Sequence, residues 1–147
     1  MSPRTHILRS SSPEQTAAFA RRLVRTLPRG AVLALVGPLG AGKTAFVKGL
    51  AAGLGLPPRQ AVSPTFTLIH EHDGPVPLYH ADLYRLAGPA EAAELGLEDY
   101  AERGGILAVE WAERAAGLLP ADTLTVRFEI LGPRQRLITI ERPKDGR

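Results

Sequence analysis

A chain of 147 residues with 44 % hydrophobic content is long enough for one ordinary α/β core and too short for two, so a single domain over residues 1–147 is expected. No stretch approaches the roughly 20 consecutive apolar residues of a membrane span, and residues 1–12 lack the apolar core of a signal peptide, so the expected location is the cytoplasm. Without cysteine there are no disulfides, thiolate zinc sites or cysteine nucleophile, and four scattered histidines offer no metal-ligand spacing, so any metal must be oxygen-ligated.

The net charge of +3 hides an asymmetry. Residues 1–60 carry nine Lys/Arg against one Glu, whereas residues 61–147 carry nine against fourteen acids. Binding of phosphate explains part of this. Solvated arginines on a helix face explain the rest without a partner, and contact with RNA stays open.

In chain order, Ser12-Pro13-Glu14-Gln15 offers a capping hydroxyl, a proline at the first helical position and Gln three residues after the serine. A helix starting there would bury Phe19, Leu23, Val24 and Leu27. Residues 31–36 form a continuous apolar run, as in a strand buried on both faces of a parallel sheet, and Gly37 ends it. After Gly42 the spacing turns helical, with Phe46, Val47, Leu50 and Leu54 on one face, until Gly55 and Pro57-Pro58 stop it. Residues 66–70 and 76–81 predict a hairpin around Glu71-His72-Asp73-Gly74-Pro75. A helical stretch over 89–103 should break near Gly96. Beyond it lie a short strand, Ile106-Leu107-Ala108-Val109, ending on Glu110, and a helical turn over 111–116. Residues 123–130 and 136–141, around Leu131-Gly132-Pro133-Arg134, predict a C-terminal hairpin at a sheet edge. The expected fold class is α/β: one phosphate-loop-type domain with a mixed parallel and antiparallel sheet flanked by helices.

The chemistry concentrates in Gly37-Pro38-Leu39-Gly40-Ala41-Gly42-Lys43-Thr44. In such a loop the glycines let backbone N–H groups turn inward around phosphate oxygens with no Cβ in the way. Lys43 would reach the β and γ phosphates of ATP, and Thr44 would present its hydroxyl to magnesium. The following helix adds the positive end of its dipole. A site of this kind also needs an acid on a neighbouring strand to hold the metal or its water. Two candidates end apolar strands: Glu110, after four apolar residues, and Asp82, after Leu78-Tyr79-His80-Ala81. His80 reads as a hydrogen-bonded structural residue ahead of Asp82, and Tyr84 and Trp111 as packing aromatics.

These residues resemble the TsaE family, the ATPase of bacterial tRNA threonylcarbamoyladenosine biosynthesis. The motifs carrying the resemblance are the loop itself, Ser63-Pro64-Thr65-Phe66-Thr67-Leu68, His80-Ala81-Asp82-Leu83-Tyr84-Arg85-Leu86, and Val109-Glu110-Trp111 followed by Glu113. They come in the family's order, and Glu94-Leu95-Gly96 stands where the family has a similar step. The resemblance implies a subunit that binds and hydrolyses ATP with magnesium and works with TsaD and TsaB partners on adenosine 37 of tRNA. It further implies that Thr44 and Glu110 ligate magnesium and that Asp82 serves hydrolysis and the metal. Residues 63–67 would act as a switch, with Thr65 as the sensing hydroxyl. Glu14, Thr16 and Arg134 would lie around base and sugar, although Gly132-Pro133-Arg134 departs from the family's adjacent Gly-Arg.

Three rival readings were weighed. A small-molecule kinase needs an acceptor pocket and a lid, but residues 91–114 hold no arginine-rich lid segment. A guanine-nucleotide switch with an Asn-Lys-x-Asp base reader is impossible in a chain without asparagine. A nucleic-acid module gripping backbone phosphate has only the basic first 60 residues in its favour. Apart from Lys43, no cation is placed to act as an arginine finger, Arg85 being the one speculative exception.

Overall fold

The computed structural model describes residues 5–38, 40–57 and 68–143. Leu39 and residues 63–67, including Thr65 and the switch expected there, lie outside the described residues.

Helix α1, Pro13–Val24, begins as its sequence dictates. The Ser12 hydroxyl accepts the Gln15 N–H at 3.1 Å, and Pro13 occupies the first turn. The Gln15 side chain closes the cap by accepting the Ser11 N–H at 2.7 Å. Helix α2, Lys43–Gly53, packs along α1 at very close range: a Cβ on Gly49 would stand 2.1 Å from the Ala17 carbonyl oxygen. Only a residue without a side chain allows that approach.

Among the described residues seven strands form one sheet: β1 Thr5–Ser10, β2 Val32–Val36, β3 Ile69–His72, β4 Leu78–Asp82, β5 Ile106–Glu110, β6 Leu124–Ile130 and β7 Arg136–Glu141, in the spatial order β1-β7-β6-β2-β5-β4-β3. Strands β4, β5, β2 and β6 run parallel, while β3, β7 and β1 pair antiparallel. The apolar run of β2 is explained by its place between β5 and β6, with one side of the sheet under α1 and α2 and the other under later helices. Leu33 and Leu35 join Phe46, Leu50 and Phe128 on the first side; Val32 and Ala34 join Leu83, Leu97 and Leu107 on the second. The stretch over 89–103 is indeed broken, into α3 Pro89–Glu94 and α4 Leu97–Ala101, by Gly96 at φ 77°.

Two expectations need correction. The C-terminal hairpin is not at the sheet edge, because β1 pairs along the whole of β7 from Thr5↔Glu141 to Ser10↔Arg136 and covers it. Strand β1 itself went unread: it is an outer strand with mostly exposed side chains, so it lacks an apolar pattern and is fixed by its partner's unpaired backbone groups. The β3–β4 hairpin has strands Ile69–His72 and Leu78–Asp82, so its first strand continues through Glu71 and His72, which were expected in the turn. The helical turn expected after Glu110 is present, as a 3-10 helix, Ala112–Ala115.

Candidate functional site

The parallel strands place their carboxyl ends together, the position at which open α/β sheets form their ligand crevices. Val36 ends β2 and passes into the glycine-rich loop. Gly37 crosses the sheet so tightly that a Cβ would lie 2.7 Å from the Phe128 carbonyl oxygen, while Gly40 and Gly42 adopt φ values of 79° and 110° that L side chains rarely take. With Gly42 in that left-handed conformation, α2 starts at Lys43 and the Phe46 N–H reaches the Gly42 carbonyl at 3.0 Å. The first N–H groups of α2 thus face the loop.

Lys43 is buried, with Nζ donating to the Gly37 carbonyl at 2.7 Å and lying 4.5 Å from the centre of the Trp111 ring. Asp82 and Glu110 are register partners at the ends of β4 and β5, so their carboxylates arise side by side. One oxygen of Glu110 pairs with Nε2 of the fully buried His80 at 2.6 Å, which fixes the orientation of that carboxylate. Asp82 accepts the Tyr84 N–H at 3.0 Å. Burial raises the Asp82 pKa above the ordinary carboxylate value; the Tyr84 N–H opposes the rise and the charge of Glu110 adds to it. Trp111 is the one described non-glycine residue with positive φ, 58°, and its ring packs against Tyr84 at 5.1 Å between centroids. Both aromatics, read from sequence as packing, therefore also wall the site.

Gly40, Gly42, Lys43, Thr44, Asp82, Tyr84, Glu110 and Trp111 enclose a cavity of about 410 Å³. Arg85 is exposed and is not among the residues around it. On the other side of Gly40 and Gly42 a second cavity, of about 350 Å³, is lined by Ser12, Glu14, Thr16, Ala45, Arg134 and Arg136 among others. The structure thus gathers Glu14, Thr16 and Arg134, which come from opposite ends of the chain. The Thr16 hydroxyl is already engaged, 2.7 Å from that of Ser10, so Thr16 offers this cavity mainly a wall. Arg136 was missed by sequence reasoning. Its guanidinium donates to the carbonyls of Gly132 at 2.9 Å and Gly40 at 3.1 Å, tying the β6–β7 turn to the glycine-rich loop. Arg114 escaped notice too; it donates to the carbonyls of Tyr84 and Leu86 and so fixes the segment after Asp82. The contacts that tie each arginine to the site, Arg136 to Gly40 and Arg114 to Tyr84 and Leu86, run to backbone carbonyls far away in the chain and leave no local mark in the sequence.

Strand, glycine-rich loop and helix, with two carboxylates on the adjacent parallel strands, define a phosphate-loop-like α/β protein. A sequence model of the family described as "Threonylcarbamoyl adenosine biosynthesis protein TsaE" matches residues 10–138. The tRNA threonylcarbamoyladenosine biosynthesis protein TsaE of Treponema pallidum is 41 % identical over 131 residues, covering 89 % of this chain and 96 % of the relative. The protein of the same name from Bacillus subtilis is 44 % identical over 132 residues, covering 89 % and 82 %. The crystal structure of Bacillus subtilis YdiB superposes with a TM-score of 0.79 at 37 % identity, covering 97 % of this chain and 88 % of that one. The chain belongs to the TsaE family, which takes part in tRNA threonylcarbamoyladenosine biosynthesis. Among the described residues no helix is long and apolar enough to cross a membrane.

Proposed function

We propose that this chain is the magnesium-dependent ATP-binding and ATP-hydrolysing subunit needed to form the threonylcarbamoyl modification on adenosine 37 of tRNA, acting with TsaD-like and TsaB-like partners in the cytoplasm. The observation that carries this reading is the convergence of Lys43, Thr44, Asp82 and Glu110 on one cavity beside a loop whose glycines leave its backbone bare. The loop N–H groups and the start of α2 would surround the β and γ phosphates, and the Lys43 ammonium would offset their charge. Base and sugar would occupy the neighbouring cavity, against Glu14, Thr16 and Arg134.

The donor set fits magnesium. Among the described residues no group of three or more His, Cys, Asp or Glu is gathered into an all-protein metal cage. One hydroxyl and one or two carboxylates beside a phosphate loop suit an ion that completes its sphere with phosphates and waters. Thr44 and Glu110 would hold the ion, with Asp82 beside them. When bound, magnesium supplies charge neutralisation for the transferring phosphoryl group. His80 keeps the Glu110 carboxylate aimed, and Asp82, with its raised pKa, is suited to orient water and take up its proton. Among the described residues Lys43 is the only cation lining this cavity, so the protein alone is expected to turn over slowly, with partners changing its rate or its nucleotide affinity.

Calorimetric titration of ATP with and without magnesium tests the nucleotide reading. Lys43→Ala should lower affinity about a hundredfold, the range expected for removing a charged hydrogen-bonding group, while the fold survives. Wild-type affinity in that variant would contradict the phosphate-loop assignment. Phosphate release, alone and with each partner, joined to an assay of threonylcarbamoyladenosine in tRNA, tests the rest. Fast turnover alone, with no partner effect, would favour an independent ATPase.

A further inference from the structure

A third cavity, of about 360 Å³, lies between α1 and the β1–β7 edge of the sheet, towards the end of α1 opposite its Ser12 cap. Its apolar wall is Phe19, Leu23 and Ile140; its cationic groups are Arg22 and Arg142, with the His6 imidazole beside them. Among the described residues no carboxylate lines it. Among the described residues no acid lies within ion-pairing distance of Arg22 or Arg142, although Arg103 and Arg127 elsewhere on the surface both have carboxylate partners. Arg21 on the same helix and Arg25 at its C-terminal cap stand exposed, also unpaired among the described residues, so part of the positive charge of the first 60 residues collects around this groove. Phe19 is partly buried and its ring lies 6.4 Å from that of Phe46, so the aromatic wall of the groove is held in place by packing.

Unpaired guanidiniums around an aromatic-walled groove large enough for one nucleotide match the chemistry of RNA. Phosphates meet the cations and an unstacked base meets the ring. We propose that this groove binds an unpaired nucleotide and the flanking phosphates of tRNA, with Phe19 as the stacking surface and Arg22, Arg142 and His6 as phosphate contacts. The inference rests on the tRNA-modification reading above for the identity of the RNA. It concerns a surface separate from the ATP cleft, with no lining residue in common.

The test is fluorescence anisotropy of an unmodified tRNA transcript titrated with the full chain at several salt concentrations, with ATP affinity measured on the same preparations. Wild-type protein should bind with a steep salt dependence. The Arg22→Ala, Arg142→Ala double variant should bind about tenfold more weakly, with a salt slope reduced by about 1.5, as expected for two lost phosphate contacts. Phe19→Leu, which keeps apolar volume, should weaken binding about fivefold at unchanged salt slope. Arg127→Ala, on another surface, should leave RNA binding unchanged, and all these variants should keep ATP affinity. Absence of tRNA binding by the wild type, equal loss in Arg127→Ala, or equally good competition by polyglutamate or anionic lipid vesicles would overturn the groove as an RNA site. Failure of the ATP reading would show separately, as wild-type protein that does not bind magnesium and ATP.

Discussion

The two cavities that meet at Gly40 and Gly42 are built in different ways. The one holding Lys43, Asp82 and Glu110 rests on strands β2, β4 and β5, which pair on both sides and are almost wholly buried. The one holding Glu14, Thr16 and Arg134 is walled by a helix cap and a hairpin turn, held to the loop by Arg136. The groups proposed to act in the chemistry thus sit on the paired, buried sheet, where placement is most precise. Those proposed to recognise base and sugar sit on the cap and the exposed turn.

Substitutions at the two ends should therefore fail differently. The largest expected effect is at the buried end: Asp82→Ala should lower turnover about a hundredfold or more with nucleotide affinity largely kept, the scale of a lost proton acceptor. Glu110→Ala should instead weaken magnesium-dependent ATP binding about tenfold, as for loss of a metal ligand or its support. Phosphate-release kinetics and calorimetry at varied magnesium separate the two. Equal and negligible effects would rule out the two-acid account.

At the exposed end, Arg136→Ala removes the ties from its guanidinium to Gly132 and Gly40 and should weaken ATP binding about fivefold, the worth of one net hydrogen bond. Turnover at saturating ATP should hardly change. A large fall in turnover would mean that the turn also positions reacting groups, and the contrast between the two ends would collapse.

The buried end was legible in sequence because its signals are local: an apolar run, then glycines, then helical spacing, with an acid closing each of two short strands. What could not be read was long-range. His80 and Glu110 are 30 residues apart and meet only because β4 and β5 are parallel neighbours in one register. Glu14 and Arg134 share a cavity only after β1 has covered β7 and brought the start of α1 beside the hairpin turn. Strand β1 itself has no pattern to read, since its exposed side chains reveal little and its partner's backbone sets its place.

A smaller effect concerns stability. Burial raises the Asp82 pKa, so ionising this group costs the unliganded fold stability. That cost is absent below the unfolded pKa, where both states are protonated, and grows as pH rises through the folded pKa. Asp82→Asn should therefore raise the Tm of the ligand-free protein at neutral pH by about 2 °C, and the gain should fade as pH is lowered towards the unfolded carboxylate pKa. Thermal unfolding of both proteins across this range checks it. A destabilised Asp82→Asn at pH 7 would show that the Tyr84 N–H contact outweighs burial.

Whether one ATP molecule spans both cavities across Gly40 and Gly42, as proposed, is decided by paired calorimetric titrations of magnesium-ATP and magnesium-tripolyphosphate. ATP should bind the wild type more tightly than tripolyphosphate. The Glu14→Ala, Arg134→Ala double variant should lose most of that advantage while its affinity for tripolyphosphate stays the same. Equal wild-type affinities for the two ligands, or a double variant that keeps the full preference for ATP, would contradict the account.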